Sequence, residues 1–99
     1  MRPIRLALAA EDDLFDIWSF IASDNLEAAD RLQTELLAAC QRVADRPDLG
    51  HWRRHITDKP VRVFPVRQTY LVVYDPASDP LVIIRILHGS RDVSVHLDE

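Results

Sequence analysis

A chain of 99 residues, 47% apolar and 28% charged, describes one soluble domain spanning residues 1–99 with room for a single modest core; this composition excludes a disordered chain. Its net charge of −4 runs against a protein whose main task is gripping nucleic acid, because such proteins carry excess Lys and Arg to displace counterions from phosphates. The charge is also uneven: residues 1–50 hold ten acids against five arginines, whereas residues 51–99 hold seven cations against six acids. The lone Cys40 excludes an internal disulfide and a Cys-based metal cluster, and its apolar helical position reads as buried filler. Acids follow the short apolar run of "MRPIRLALAAEDD" at once, so no signal peptide or membrane span is expected and a cytoplasmic location is.

The elements follow in chain order. "PIRLALA" alternates Ile4, Leu6 and Leu8 against Arg5 and Ala7, the period of a strand. From Ala9 the period becomes helical, with Ala10, Leu14, Ile17, Trp18 and Ile21 on one face and Glu11, Asp12, Asp13 and Asp16 opposite. Those acids sit in the first turns, where the helix dipole favours negative charge. "SDNLE" interrupts the pattern and offers Asp24 or Asn25 as the cap of a second helix, Asp24 with Glu27 having the spacing of a capping box. This helix carries Ala29, Leu32, Leu36, Ala39, Cys40 and Val43 on one face and must end before Pro47 in the turn "RPDLG". So short a link makes the two helices an antiparallel hairpin.

Beyond Gly50 the chain reads as sheet. "PVRVFPV", "TYLVVYD" and "LVIIRIL" are rich in Val, Ile, Tyr and Phe, and are separated by "RQ" and "DPASDP". Pro60 and Pro65 cannot donate to a ladder, so the first of these strands is an edge or an irregular strand. The order β-α-α-β-β-β predicts an α+β fold, an antiparallel-dominated sheet with a helical hairpin packed on one face. Strict alternation places Val82, Ile84 and Ile86 on one side of the last strand, toward the helices, and Ile83, Arg85 and Leu87 on the other. In the preceding strand it sets Tyr70, Val72 and Tyr74 against Leu71 and Val73. Both faces are then apolar although one hairpin covers only one of them. Either a partner supplies the missing cover or the sheet curls and buries it.

Candidate chemistry is sparse. His51 and His55 in "HWRRH" have the i, i+4 spacing of helical metal ligands, but no third ligand accompanies them and the segment reads as a solvated basic loop. Two glycines leave no phosphate-cradling loop, and no catalytic triad or cofactor motif is present. Trp18 and Trp52 read as packing residues. The densest group of functional side chains is "RILHGSRD", with Arg85, His88 and Arg91 at every third residue. Together with Arg62 and Arg67 they fit either charge stabilisation with acid–base chemistry on a phosphodiester, salt bridges to acids such as Asp75 or Asp92, or partner recognition.

The segments "AEDDLFDIWSFIASDNLEAADRL", "RVADRPDLG", "YLVVYD" and "RILHGSRD", in this order and over essentially the whole chain, resemble the ParE branch of the ParE/RelE toxin superfamily of bacterial type II toxin–antitoxin systems. The most specific of the motifs are the "DN-x-x-AA" helix start, the "P-x-L-G" turn and the "R-x-L-H-G-x-R-D" ending. RelE-like members cut messenger RNA on the ribosome with clustered Lys and Arg and a Tyr or His. ParE-like members lack that cluster and are associated with inhibition of DNA gyrase and growth. The negative net charge, the single lysine and a C-terminus "VSVHLDE" without a late Tyr favour the second branch.

The resemblance therefore implies a non-enzymatic toxin that binds gyrase and needs no metal or cofactor. Its partner would be a ParD-like antitoxin, a ribbon-helix-helix DNA-binding dimer whose flexible C-terminal segment wraps the toxin. Direct nucleic-acid or membrane binding is not implied. That segment is expected along the helical hairpin and the uncovered sheet face, and the partner-binding residues expected there are Tyr70, Tyr74, Ile83, Arg85, Leu87, His88 and Arg91. The alternatives are a ribosome-dependent ribonuclease, or a toxin-fold protein that acts only in its antitoxin complex.

Overall fold

The computed structural model describes residues 2–52 and 60–89. A short strand, β1 (Ile4–Leu6), leads directly into helix α1 (Leu8–Ala22). The strand alternation that extends to Leu8 in the sequence stops earlier in the structure. Ala7 is the helix N-cap, its N–H still bonded to the Ile83 carbonyl at 2.9 Å, and Leu8 opens the helix pointing outward.

Helix α2 (Leu26–Asp45) is capped by Asn25, whose side chain accepts from the Ala28 N–H at 3.0 Å; Asn25, not Asp24, takes that role. Helix α2 buries Ala29, Leu32, Leu36, Ala39, Cys40, Val43 and Ala44, the face that its periodicity predicts. Full burial of each of its larger aliphatic side chains stabilises the fold by about 1.5–3 kcal/mol. Burial also pushes the Cys40 thiol up to about 12, which leaves it an inert apolar filler.

Strands β2 (Arg62–Val66), β3 (Tyr70–Asp75) and β4 (Leu81–His88) complete a four-stranded sheet in the order β1-β4-β3-β2. β1 runs parallel to β4, and the β3 pairings on both sides are antiparallel. β2 lies at the edge, where Pro65 needs no ladder partner for its missing N–H.

The β3–β4 ladder contains a bulge: Val73 pairs with Arg85 and Tyr74 with Ile83, so Ile84 is the extra residue. One inserted residue exchanges the two faces of a strand. Ile83 and Ile86 therefore both face the helices, and Ile84 and Leu87 face away; Ile86 and Leu87 lie where strict alternation puts them, whereas Ile83 and Ile84 are exchanged.

The helix-side core joins Leu14, Leu32, Leu36, Val43, Val72, Tyr74, Ile83 and Ile86. On the far face Val61, Val63, Leu71, Val73 and Leu87 form a second buried cluster, so this face is not the bare apolar surface expected of it. Among the described residues, no helix is long and apolar enough to cross a membrane.

Candidate partner-binding surface

The sequence-predicted site residues are scattered by the fold. Tyr74 is fully buried on the helix side, where its hydroxyl donates to the Pro47 carbonyl at 2.6 Å and accepts from the Gly50 N–H at 2.8 Å. Desolvation raises its pKa. Tyr74 is thus a post that clamps the "RPDLG" turn, and it has no surface to present. A Cβ on Gly50 would stand 2.5 Å from the Tyr74 hydroxyl, which is the physical reason that the turn ends in glycine. Ile83 is buried in the helix-side core and Leu87 in the far cluster. Tyr70 also lies on the helix side rather than the far face, half-buried, its ring edge-on to His88 with centroids 5.9 Å apart. Arg91 and His55 lie outside the described residues.

Asp92 lies outside the described residues, and Arg85 is held by an acid of α1. Its Nε and Nη2 donate to the two oxygens of Asp13 on α1 at 2.7 and 2.8 Å, a bidentate pair that is largely buried. The same Asp13 carboxylate accepts from the Ile86 N–H at 2.9 Å. β1 accompanies β4 only as far as Ile83, so beyond that point no strand among the described residues pairs with β4 on that side. Asp13 supplies the acceptor that a longer β1 would have given, and so ties α1 to the sheet.

The other basic residues are also held. Arg62 Nη1 donates to the Gly50 carbonyl at 2.7 Å, and Arg67 makes a bidentate contact with Glu35. Arg62 lies on the edge strand β2 and Arg85 on the inner strand β4, so the two sit two strands apart. His51 forms a backbone bridge with Val63, and among the described residues no group of three or more His, Cys, Asp or Glu is placed to hold a metal ion.

The exposed surface lies elsewhere, on α1. Leu8 and Phe15, two helical turns apart, are 74% and 66% exposed, and Trp18 lies half-buried one turn further along the same flank. Beside them runs a shallow groove of about 290 Å³ lined by Leu6, Glu11, Leu14, Phe15, Trp18 and Gln33. The indole N–H of Trp18 donates to Asp30 at 2.9 Å, which anchors the ring across the two helices as one wall. Glu11, Asp12 and Asp16 stand exposed around this apolar flank, and α1 contains no basic residue.

Phe15 and Phe20 escaped the sequence reading although a signal was available. Neither falls on the line Ala10–Leu14–Ile17–Ile21, so large apolar residues off the buried face were already visible. Trp52, read as packing, is 48% exposed.

Comparison with known proteins agrees with the fold. The family model described as "ParE toxin of type II toxin-antitoxin system, parDE" matches residues 4–93. Among solved structures, one titled "Chromosomal ParDE TA system from P. aeruginosa" superposes with a TM-score of 0.73 at 15% identity. The match covers 89% of this chain and 96% of that one, and at this identity it is a likeness of fold. No curated protein sequence matches the chain.

Proposed function

The chain belongs to the ParE family of type II toxins, and from that premise we propose that it inhibits DNA gyrase by protein–protein contact and is neutralised by a ParD-like antitoxin. The observation that carries the antitoxin half of this reading is the apolar flank of α1. A line of exposed Leu8 and Phe15 and half-buried Trp18 beside a shallow groove suits an amphipathic segment that folds as it binds. The ParDE title of the structural neighbour supports the same pairing.

A mode of action without bond cleavage is supported by the state of the arginines. A phosphodiester-cleaving centre needs cations aimed at one point where charge develops. Here Arg85 is committed to Asp13 and Arg62 to a backbone carbonyl, on strands that are not neighbours. The toxin acts in the cytoplasm, where gyrase works.

Purified protein added to gyrase in a supercoiling assay tests the target. Inhibition at micromolar protein, reversed by the cognate antitoxin, is expected. No inhibition, together with mapped cleavage of translated messages, overturns the reading in favour of a ribonuclease.

A further inference from the structure

The flank of the hairpin away from α1 is built differently. Arg31, Glu35, Ala38 and Arg42 follow one line of α2 at i, i+4, i+7 and i+11, and Arg46 continues it at the helix end. Edge strand β2 lies alongside and adds Arg62, Phe64 and Arg67. The Arg42 guanidinium sits over the Phe64 ring, 5.2 Å from its centroid. Among the described residues, Glu35 is the one carboxylate on these two lines, and it is paired with Arg67. Asp30 and Asp45, at its margins, are taken up by the Trp18 indole and the Arg2 N–H. A chain of net charge −4 thus gathers five arginines on one side. From Arg31 to Arg42 the line is about 16 Å long, the reach of about five extended residues.

A second observation falls on the same stripe. Arg67 and Gln68, the two residues at the tip of the β2–β3 turn, both have positive φ, 55° and 59°. That conformation costs an L-residue roughly 1–2 kcal/mol and is ordinarily given to Gly or Asn. The turn places Arg67 against α2 in spite of the strain, and strain of this kind collects at functional sites.

We propose that this arginine stripe receives an acidic, extended segment of the toxin's protein target, on the flank opposite the antitoxin groove. The inference rests on the reading of the protein as a toxin acting by protein contact. A nucleic acid fits less well. The rest of the chain is acidic and repels a polyphosphate, and three of the five guanidiniums are already engaged by Glu35, Phe64 and Gly50. Carboxylates on a flexible segment can join such partly satisfied arginines one at a time.

The test is the double substitution Arg31→Gln/Arg42→Gln at exposed positions, with Arg67→Gln as a second variant and thermal melting to confirm folding. Each variant is expected to bind antitoxin with a Kd within about twofold of the parent. Each should need at least tenfold more protein to inhibit supercoiling and should fail to arrest growth when expressed. Variants that arrest growth as well as the parent overturn the proposal. A tenfold loss of antitoxin affinity overturns it by assigning the stripe to the antitoxin, and a mobility shift of a duplex DNA fragment that the variants lose assigns it to nucleic acid. If the parent arrests growth without touching gyrase, the gyrase reading fails, while the growth readout still decides the stripe.

Discussion

Helices α1 and α2 lie side by side in one hairpin, but they spend their apolar residues in opposite directions. Helix α2 buries seven side chains over 20 residues, and Leu26 at its start is the one large apolar side chain that it leaves exposed. Helix α1 buries only Ala10 and Leu14 over 15 residues, with Ile17 and Ile21 packed behind them, while Leu8, Phe15 and Phe20 stand in water. A helix designed only for stability would not expose phenylalanine at two positions. The contrast separates the work of the hairpin: α2 holds the sheet, and α1 is held by the sheet so that its outer flank stays available. The Asp13 carboxylate, which reaches both Arg85 and the Ile86 N–H, compensates for how little apolar surface α1 buries.

The sharpest way to break this contrast is to remove a buried α2 side chain. Leu36→Ala is expected to cost about 2–5 kcal/mol in denaturant unfolding, because a cavity opens between α2 and the sheet. A smaller loss would mean that α2 packs loosely. Asp13→Ala should come next, at about 2–3 kcal/mol, since it removes a charge-assisted pair and leaves the Ile86 N–H without its acceptor. Tyr74→Phe should cost about 1–2 kcal/mol and loosen the 47–50 turn, seen as faster amide exchange at Gly50. Phe15→Ser, on the exposed flank, should change stability by no more than about 0.5 kcal/mol. The same substitution should weaken antitoxin binding at least tenfold by calorimetry, and an unchanged affinity would remove α1 from the interface.

The smallest effect concerns Asp45, at the end of α2. Its carboxylate accepts from the Arg2 N–H and from Gln41, and those hydrogen bonds lower its pKa below the usual carboxylate value. A depressed folded pKa contributes stability above the unfolded value near 4, and that contribution is lost as pH falls through the folded pKa. The parent should therefore lose slightly more stability than Asp45→Asn between about pH 5 and pH 2, and parallel melting curves would count against the tie.

The order of elements and the α2 face were legible because periodicity is a local property, written within each segment. What escaped was set by distant partners. The bulge at Ile84 depends on the register with β3, and one extra residue reversed the predicted facing of Ile83 and Ile84. Arg85 found an acid 72 positions away, on α1, which no local pattern points to. Tyr74 reads as a surface aromatic until the turn 24 residues before it is seen to close over its hydroxyl. The exposed flank of α1 was readable in principle, as a mismatch between Phe15, Phe20 and the buried line.

The parallel pairing of β1 with β4 has a bearing on the order in which the chain can fold. Ile4 to Leu6 cannot find their ladder partners until Leu81 to Ile83 have left the ribosome. The helical hairpin, by contrast, depends on contacts between near neighbours and can form while synthesis continues. Until the sheet arrives, Leu32, Leu36 and Val43 must wait uncovered in a half-made protein. Sheet closure therefore has to wait for the whole of β4, whose Ile86 and Leu87 enter the two buried clusters and whose Arg85 receives Asp13.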